Sequence, residues 1–405
     1  MSTTHRVPRH RRQALLLGLG AAVALAACGS SSSSGSSSAS ASSPPSSSAA
    51  TGGATSSAGT SSQFAADLAM YSAAATSYPT IPTISGGVSS LAGKTVWYIP
   101  IGASVPILAN FGLGMQQGLT AAGLKYHLCD GKFLPTNIAS CLQQAQTQGA
   151  DAVVTGYIDY ALLPSAFDNL VSHHIPVLVA GEAADGGKTA SPSLAFYDGA
   201  AALNQAQKLQ MESVITDSGG KAKIIYLGVT DSPSTKAGAA YGKQFVQTNC
   251  PGCTIDEVDY NTAAIQKVPS QVASALTSHP GTTYVVDELD AAGQGTYAGI
   301  QNAGFTNKVK MAGTNGDLDA LQRIKSNTVQ FVDIGLSPIY IGWQYADGIL
   351  RMMTGSVPTE AVGPERVFNS SNVGSLTLTP GAYASNDWYG DDSFQKTFTT
   401  AWAVS

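Results

Sequence analysis

The chain has 405 residues, of which 12 % are charged and 43 are glycine, and its formal net charge is −5 at pH 7. Residues 1–27 contain four arginines and no acidic residue, so the chain without them carries a net charge of −9. This acidic balance argues against nucleic acids and anionic membrane surfaces as binding partners.

The N-terminus has the organisation of an export signal. Four arginines precede an apolar run of 14 residues, Ala14–Ala27, which is too short to span a bilayer as a helix. The run closes on Leu25-Ala26-Ala27-Cys28, which resembles the cleavage site of bacterial lipoprotein signals. We therefore predict a signal peptide over 1–27 and a lipid anchor on Cys28. A chance cysteine behind an ordinary secretory signal stays open, as does the choice between general and twin-arginine export.

A spacer follows the predicted anchor. Residues 28–62 consist almost entirely of Ser, Gly, Ala and Thr, a composition that cannot bury a core and is typical of a flexible tether. Residues 63–92, which contain Pro79 and Pro82, predict a lead-in helix and an extended arm. The remaining length exceeds what one hydrophobic core usually organises, so we expect two domains.

Alternating β-branched and amphipathic segments begin at residue 95 and are typical of a parallel α/β fold. In the first half the pattern predicts strands at 95–100, 125–129, 151–155 and 176–180 and helices at 106–122, 136–148 and 161–173. In the second half it predicts strands at 222–227, 254–259, 282–286, 308–312 and 329–334 and helices at 199–216, 236–248, 264–278, 292–303, 317–325 and 338–354. A loop-rich tail follows. Two similar lobes are expected.

Four further cysteines suggest two disulfides in an exported protein. Cys129 ends a predicted strand and Cys141 lies one turn into the next helix, so these two could pair. Cys250 and Cys253 form a C-x-x-C motif after a helix and before a strand. Because a redox motif places its first cysteine at a helix N-terminus, we interpret this pair as a structural clip. The alternatives of a redox site and of zinc shared between the pairs remain open.

The order of motifs resembles the type I periplasmic binding proteins, particularly the ribose-like sugar-binding components of ABC transporters. The resemblance covers about residues 91–357. It rests on short segments in matching order: Gly93-Lys94-Thr95-Val96, Gly118-Leu119-Thr120-Ala121-Ala122-Gly123, Gly149-Ala150-Asp151-Ala152-Val153-Val154, Ile175-Pro176-Val177-Leu178-Val179, Ala298-Gly299-Ile300-Gln301-Asn302-Ala303-Gly304 and Met311-Ala312-Gly313-Thr314-Asn315-Gly316. Pro338 and Gly342 stand where the returning helix of the family begins.

The resemblance implies an α/β fold of two Rossmann-like lobes with parallel sheets, joined by a hinge of three crossovers near residues 190, 331 and 357. The expected N-terminal lobe is 93–190 with 332–357, and the expected C-terminal lobe is 191–331 with 358–405. Ligands of open parallel sheets bind beyond the carboxyl ends of the strands, so two facing edges would form a cleft that closes on its ligand.

Candidate ligand-binding residues follow the predicted strands on these edges. They combine carboxylates, which accept hydrogen bonds from vicinal hydroxyls, with aromatic faces, although helix capping and turns explain each single residue equally well. The candidates are Ser104, Phe111, Asp130, Tyr157, Asp159, Tyr160, Glu182, Asp231, Ser232, Asp287, Asp290 and Asn315.

Several positions depart from the ribose-like pattern. Ala239 stands in place of an arginine, Leu289-Asp290 in place of an Asn-Asp pair, Asn315 in place of an aspartate and Leu336 in place of a glutamine. The loss of the arginine and the glutamine removes directed donors. A less polar or larger ligand than a simple sugar could therefore fit the pocket.

The sequence predicts an extracytoplasmic lipoprotein on the outer face of the cell membrane that acts as the solute-binding protein of an ABC importer. We expect a monomer that binds a sugar or polyol-like ligand without chemical change and docks on ABC permease subunits. The sequence contains neither the zinc motif H-E-x-x-H nor the serine-nucleophile motif G-x-S-x-G, and we expect no metal, cofactor or catalytic residue. The alternatives are a sensory binding protein that signals to a membrane kinase or chemoreceptor, and an exported hydrolase.

Overall fold

A computed structural model describes residues 57–184 and 187–404. The predicted signal peptide, the predicted lipid-anchor residue Cys28 and most of the predicted tether lie outside these ranges. The lead-in helix begins earlier than predicted, as α1 (Ser57–Ser72), and includes the end of the predicted tether. None of the helices in the two described ranges is both long enough and apolar enough to cross a bilayer.

The first lobe is built on five parallel strands in the order β2-β1-β3-β4-β5. The strands are β1 (Thr95–Pro100), β2 (Lys125–Leu128), β3 (Ala152–Gly156), β4 (Val177–Ala180) and β5 (Leu194–Tyr197), and the helices between them are α2 (Pro106–Ala121), α3 (Pro135–Thr147) and α4 (Pro164–Ser172). β3 and β4 are buried along their whole length. Such strands are covered on both faces, as expected of a parallel sheet flanked by helices.

The second lobe is built on six strands in the order β11-β10-β9-β8-β6-β7, of which only β11 runs antiparallel to its neighbour. The strands are β6 (Lys223–Val229), β7 (Thr254–Tyr260), β8 (Tyr284–Asp287), β9 (Lys310–Asn315), β10 (Gln330–Leu336) and β11 (Glu365–Asn369). The helices that follow β5 in the chain are α5 (Ala200–Asp217), α6 (Pro233–Asn249), α7 (Val268–Ser278), α8 (Gly293–Asn302), α9 (Leu318–Lys325), α10 (Pro338–Met353), α11 (Pro380–Tyr383) and α12 (Ser393–Ala401), of which α10 and α12 pack on the first lobe. The predicted α/β fold of two lobes is confirmed.

Proline begins five of the helices that follow strands. Pro106, Pro135, Pro164, Pro233 and Pro338 each occupy the first residue of a helix. Proline is favoured there because its φ angle suits the helix and its missing N–H would have no partner within the helix. Proline therefore fixes the residue at which each of these five helices begins.

The crossings between the lobes differ in part from the predicted positions. β5 pairs with β4 in the first sheet, so the first crossing follows Tyr197 and not residue 190. The second crossing follows the end of β10 at Leu336, because all of β10 belongs to the second sheet. The third crossing lies between Met353 and Glu365, where α10 ends and β11 begins.

The helix α10 packs against α2 with almost no space between the two backbones. A Cβ atom on Gly342 would lie 2.3 Å from the carbonyl oxygen of Phe111, and one on Gly114 would lie 2.3 Å from that of Ile339. Both contacts are far shorter than van der Waals packing allows. Two glycines thus permit the close approach of these helices.

The chain ends do not follow the predicted division. The prediction assigned all of 358–405 to the second lobe, but α12 packs against α10, which itself covers α2. Trp402 stacks on Trp343 with ring centroids 5.5 Å apart, and its indole N–H donates to Asp347 Oδ1 at 2.8 Å. The apolar face of α12 therefore binds the first lobe. Conversely, α1 packs on α5, where Lys208 lies 2.6 Å from Asp67.

Both predicted cysteine pairs lie at bonding distance. The sulfur atoms of Cys129 and Cys141 are 2.01 Å apart, and those of Cys250 and Cys253 are 2.00 Å apart. Cys253 lies directly before β7, so the second pair closes the loop between α6 and that strand. This position supports the structural interpretation of the C-x-x-C motif.

We predict that Gly342→Ala destabilises the fold by roughly 1 to 3 kcal/mol, because the added methyl group must push α2 and α10 apart. The matched control is Gly381→Ala in α11, where no heavy atom lies within 4 Å of the added Cβ. Denaturant unfolding of both variants measures the effect. An equal stability of the two variants would show that the α2–α10 contact tolerates a side chain.

Candidate functional site

A cavity of about 350 Å³ lies between the lobes at the carboxyl ends of both parallel sheets. The first lobe contributes Ile101, Val105, Ile107, Leu108, Phe133, Tyr157, Asp159, Ala161, Leu162 and Glu182, and the second lobe contributes Val229, Asp231, Ser232, Thr235, Thr262, Leu289, Ala291 and Asn315. Its size is at the lower end of the range for small-molecule sites. The location at facing strand ends is the one expected for a ligand of this architecture.

The lobes also contact each other beside the cavity. The backbone N–H of Ala183, which follows β4, donates to Ser234 Oγ in the first turn of α6 at 3.1 Å. This hydrogen bond joins the two walls at the position of Glu182. Any change in the angle between the lobes must alter it.

Six of the twelve candidate residues line the cavity. They come from the loops after β3 and β4 in the first lobe and from the ends of β6 and β9 in the second: Tyr157, Asp159, Glu182, Asp231, Ser232 and Asn315. The structure thus brings half of the predicted set together across the two lobes.

Three of these six already have local partners. Asp159 accepts a hydrogen bond from the N–H of Ala161 at 2.9 Å, and Asp231 accepts one from Thr262 Oγ1 at 2.6 Å. Ser232 caps α6 by accepting from the N–H of Thr235 at 3.3 Å. These side chains hold loops and helix ends in place, as the capping alternative proposed.

Glu182 differs from them because neither of its carboxyl oxygens has a hydrogen-bond partner among the described residues. Its side chain is only 1 % exposed although it lines the cavity. Burial raises the pKa of the Glu182 carboxyl to about 7, and Asp159 adds to the shift. The nearby hydroxyls of Ser232 and Ser234 and the backbone N–H of Ser234 oppose it, although none of them reaches hydrogen-bonding geometry with the carboxyl oxygens. A buried carboxyl without a partner is costly, so this group is available to a ligand.

Two lining residues have unusual backbone conformations. Tyr157 and Asn315 directly follow or end buried strands and have φ angles of 57° and 133°. Non-glycine residues rarely adopt such angles, and they cluster at functional sites. Gly181 accommodates the Tyr157 ring, since a Cβ there would lie 2.7 Å from that ring. The conformation turns both side chains toward the cavity.

Four candidates of the first lobe do not line the cavity. Ser104 is exposed, and Asp130 accepts hydrogen bonds from the N–H groups of Ala103 and Lys132 at 2.8 and 2.9 Å, which makes it a turn residue. The hydroxyl of Tyr160 donates to Asp168 at 2.8 Å outside the cleft. Phe111 instead lines a smaller adjoining cavity of about 50 Å³, which shares Tyr157 and Leu289 with the first.

Two candidates of the second lobe, Asp287 and Asp290, are buried beneath the cavity. Asp287 accepts a hydrogen bond from Thr296 Oγ1 at 2.7 Å, and Asp290 accepts one from the N–H of Asp317 at 2.9 Å. Burial and the adjacent Asp333 and Asp317 carboxyls hold the pKa of Asp290 well above its usual range. These acids fix the loops that carry Leu289 and Asn315, so their role is internal support.

The sequence reasoning missed the apolar part of the lining. Most of the cavity wall is formed by side chains such as Ile107, Leu108, Phe133, Val229 and Leu289. A search for polar residues after strands could not find them. The available signal was the run Ile107-Leu108 directly after Pro106, because a first helical turn at a strand end faces the cleft. Among the described residues, no cluster of His, Cys, Asp and Glu is arranged to hold a metal ion.

A family model described as "Periplasmic binding protein domain" matches residues 98–356. The chain belongs to this family. The resemblance of this periplasmic binding protein to the type I, ribose-like members is thereby confirmed. A search of curated proteins finds no match.

Solved structures share the fold of this periplasmic binding protein at low sequence identity. An ABC transporter solute-binding protein from Agrobacterium vitis with bound allitol is 18 % identical and has a TM-score of 0.59, with 70 % of this chain and 97 % of that chain covered. A Caulobacter myo-inositol binding protein is 18 % identical with a TM-score of 0.61, covering 73 % and 98 %. A 5-methylthioribose transporter solute-binding protein from Thermotoga lettingae is 12 % identical with a TM-score of 0.64, covering 78 % and 99 %.

We predict that Glu182→Gln stabilises the protein increasingly as the pH rises from about 5 to about 8. The folded-state pKa of about 7 exceeds the ordinary value of 4.5, so the folded state retains a proton that the unfolded chain releases in this range. The free energy of unfolding of the wild-type protein therefore falls by up to about 3 kcal/mol over this range. A neutral glutamine does not titrate, so the Glu182→Gln variant does not lose this stability. Denaturant unfolding across the pH range measures the difference. A difference that does not change with pH would contradict the burial of an ionisable Glu182.

Proposed function

We propose that this periplasmic binding protein is the extracytoplasmic solute-binding protein of an ABC importer, and that it binds one small organic solute in the cleft between its lobes. The single observation that carries the proposal is the cavity at the carboxyl ends of both sheets, lined by side chains from each lobe. A ligand that contacts both walls binds the closed form more tightly than the open form. Binding therefore shifts the hinge toward closure, and a permease can recognise the closed shape.

Six of the residues predicted from the sequence would surround the bound ligand. Glu182, Tyr157 and Asp159 belong to the first wall, and Asp231, Ser232 and Asn315 belong to the second. We assign Glu182 the direct contact, because its oxygens have no other partner among the described residues. Asp159, Asp231 and Ser232 would shape the walls through the hydrogen bonds that they already accept.

The ligand is taken up unchanged in this proposal. The family consists of binding proteins, and the allitol, myo-inositol and 5-methylthioribose complexes support a small solute. The sugar or polyol predicted from the sequence is supported by these neighbours, whereas the mainly apolar lining does not favour it. A sensory binding protein that signals to a membrane kinase would close on its ligand in the same way. It would differ from an import receptor only in its partner protein.

The N-terminal segment places the receptor at the membrane in this proposal. Cleavage before Cys28 and lipidation of its thiol would anchor the protein to the outer face of the cell membrane. The serine-rich tether would let the lobes reach a permease, since a flexible coil of its length has a root-mean-square reach of roughly 30 to 35 Å. Export would also provide the oxidising conditions for the two disulfides.

We predict that a screen of sugars, polyols, nucleosides, amino acids and small aromatic compounds yields a solute that raises the melting temperature. A ligand at about a hundredfold excess over Kd stabilises the folded state by about 2.7 kcal/mol. Leu162→Ala in one wall and Leu289→Ala in the other should each weaken binding by roughly 1 kcal/mol or more, because each removes apolar contact area. The matched control is Leu134→Ala, which is 52 % exposed and outside the cavity. If only one of the two leucine substitutions weakened binding, that result would contradict closure of both lobes around the ligand.

We predict that Cys28→Ser moves the protein from the membrane fraction to the soluble fraction of a bacterial host that processes lipoproteins. The substitution removes the thiol that would carry the lipid, and the described helices offer no membrane span. Fractionation followed by immunoblotting measures the distribution, with Ser30→Ala as the control. Retention of the Cys28→Ser protein in the membrane would contradict the lipid anchor.

A further inference from the structure

We infer that the solute is a small organic cation with an apolar body, such as a primary amine on an alkyl or aromatic skeleton. This inference rests on the proposed function and narrows its ligand class. It follows from the charge of the cavity, from one unpartnered carboxyl group and from the apolar walls.

The charge of the cavity has one sign. The charged side chains that line it are Asp159, Glu182 and Asp231, and no lysine, arginine or histidine is among its described lining residues. An anionic solute would be repelled by all three acids. A cation is attracted by them, and the attraction is strong because these groups lie in a partly desolvated cleft.

Only Glu182 among the three acids has no partner within the described protein. Asp159 is satisfied by the N–H of Ala161, and Asp231 by the N–H and hydroxyl of Thr262. Neither Glu182 oxygen has a hydrogen-bond partner in the described ranges of the chain, and the residue is 1 % exposed. An ammonium group has three N–H donors and no acceptor, so it complements an unpaired carboxylate in both hydrogen bonding and charge.

The walls around this carboxyl group suit an apolar body. Ile107, Leu108 and Leu162 line the first wall, and Val229 and Leu289 line the second. A free polyol would bring hydroxyl groups against these side chains, and each unpaired hydroxyl costs roughly 1 to 3 kcal/mol. An alkyl or aromatic skeleton instead gains free energy from the same contacts.

Aromatic side chains provide a further attraction for a cation. Phe133 and Tyr157 line the first wall, which also carries Glu182. The face of an aromatic ring attracts an ammonium group through its quadrupole. The combination of a carboxylate, aromatic faces and aliphatic walls is selective for an amphipathic amine over a neutral sugar.

Isothermal titration calorimetry of the full chain in detergent tests the inference with matched compounds. The amines are phenethylamine, tryptamine and cyclohexylamine; each is compared with the alcohol and the carboxylic acid of the corresponding skeleton, and allitol and myo-inositol represent polyols. At least one amine should bind roughly tenfold or more tightly than its alcohol, the fold-change expected for a charge-assisted hydrogen bond. The corresponding carboxylate should show no binding.

Two variants test whether a loss of binding comes from the cavity carboxyl group itself or from replacing any buried glutamate. Glu182→Gln should weaken binding of that amine by roughly tenfold or more and change binding of the alcohol far less. The matched control is Glu365→Gln on β11, because Glu365 is likewise buried with both oxygens unpaired among the described residues but lies outside the cavity. This control should bind the amine as the wild-type protein does.

Three outcomes would overturn the inference. Binding of a polyol without binding of any amine would do so while leaving the proposed solute-binding function intact. An amine affinity unchanged by Glu182→Gln would also do so, because the carboxyl group would then play no part. Absence of binding by every compound would overturn the inference and would remove support from the proposed function as well.

Discussion

The structure depends on the contact between α2 and α10. The chain leaves the second sheet after β10, forms α10 on the first lobe and returns to the second sheet as β11. The contact is possible because Gly114 and Gly342 leave no side chain between the two backbones. Two of the three crossings flank α10, so its position on α2 determines where the chain leaves and re-enters the second lobe. The first turn of α2 also carries Ile107 and Leu108 into the cleft.

Buried acidic groups support the cleft from the second lobe. Asp333 accepts hydrogen bonds from the N–H of Gly316 and from Gln330 Nε2, both at 2.8 Å. Burial raises the pKa of Asp333 to about 7, and burial together with the neighbouring acids holds the pKa of Asp290 well above its usual range. A shared proton between two such carboxyl groups relieves their repulsion. The loops after β8 and β9 are thereby fixed by internal hydrogen bonds, whereas the oxygens of Glu182 across the cleft have no partner among the described residues.

The strands and helices were predictable where periodicity and proline punctuation agree. β3 and β4 read as continuous apolar runs because both faces of the sheet are covered, and Pro106 and Pro338 mark helix starts. β5 was missed because its four residues lie in a segment rich in serine and proline, and only pairing with β4 makes it a strand. The place of α12 was also beyond prediction, since Trp402 finds Trp343 only through the tertiary fold.

The candidate site was predictable in position but only partly in composition. Strand ends indicated the loops that carry Glu182, Tyr157 and Asn315, and these three residues line the cavity. Sequence could not separate a ligand contact from a turn or a cap, as Asp130 demonstrates, because both uses need the same oxygen atoms. Leu289 could not be separated from core residues, because hydrophobicity does not reveal which apolar side chains face a cavity. The most direct test of the account is a crystal structure with the solute that stabilises the protein most. The account predicts a solute that contacts Glu182 on one lobe and Leu289 on the other, and a solute bound outside the cleft or to one lobe alone would contradict it.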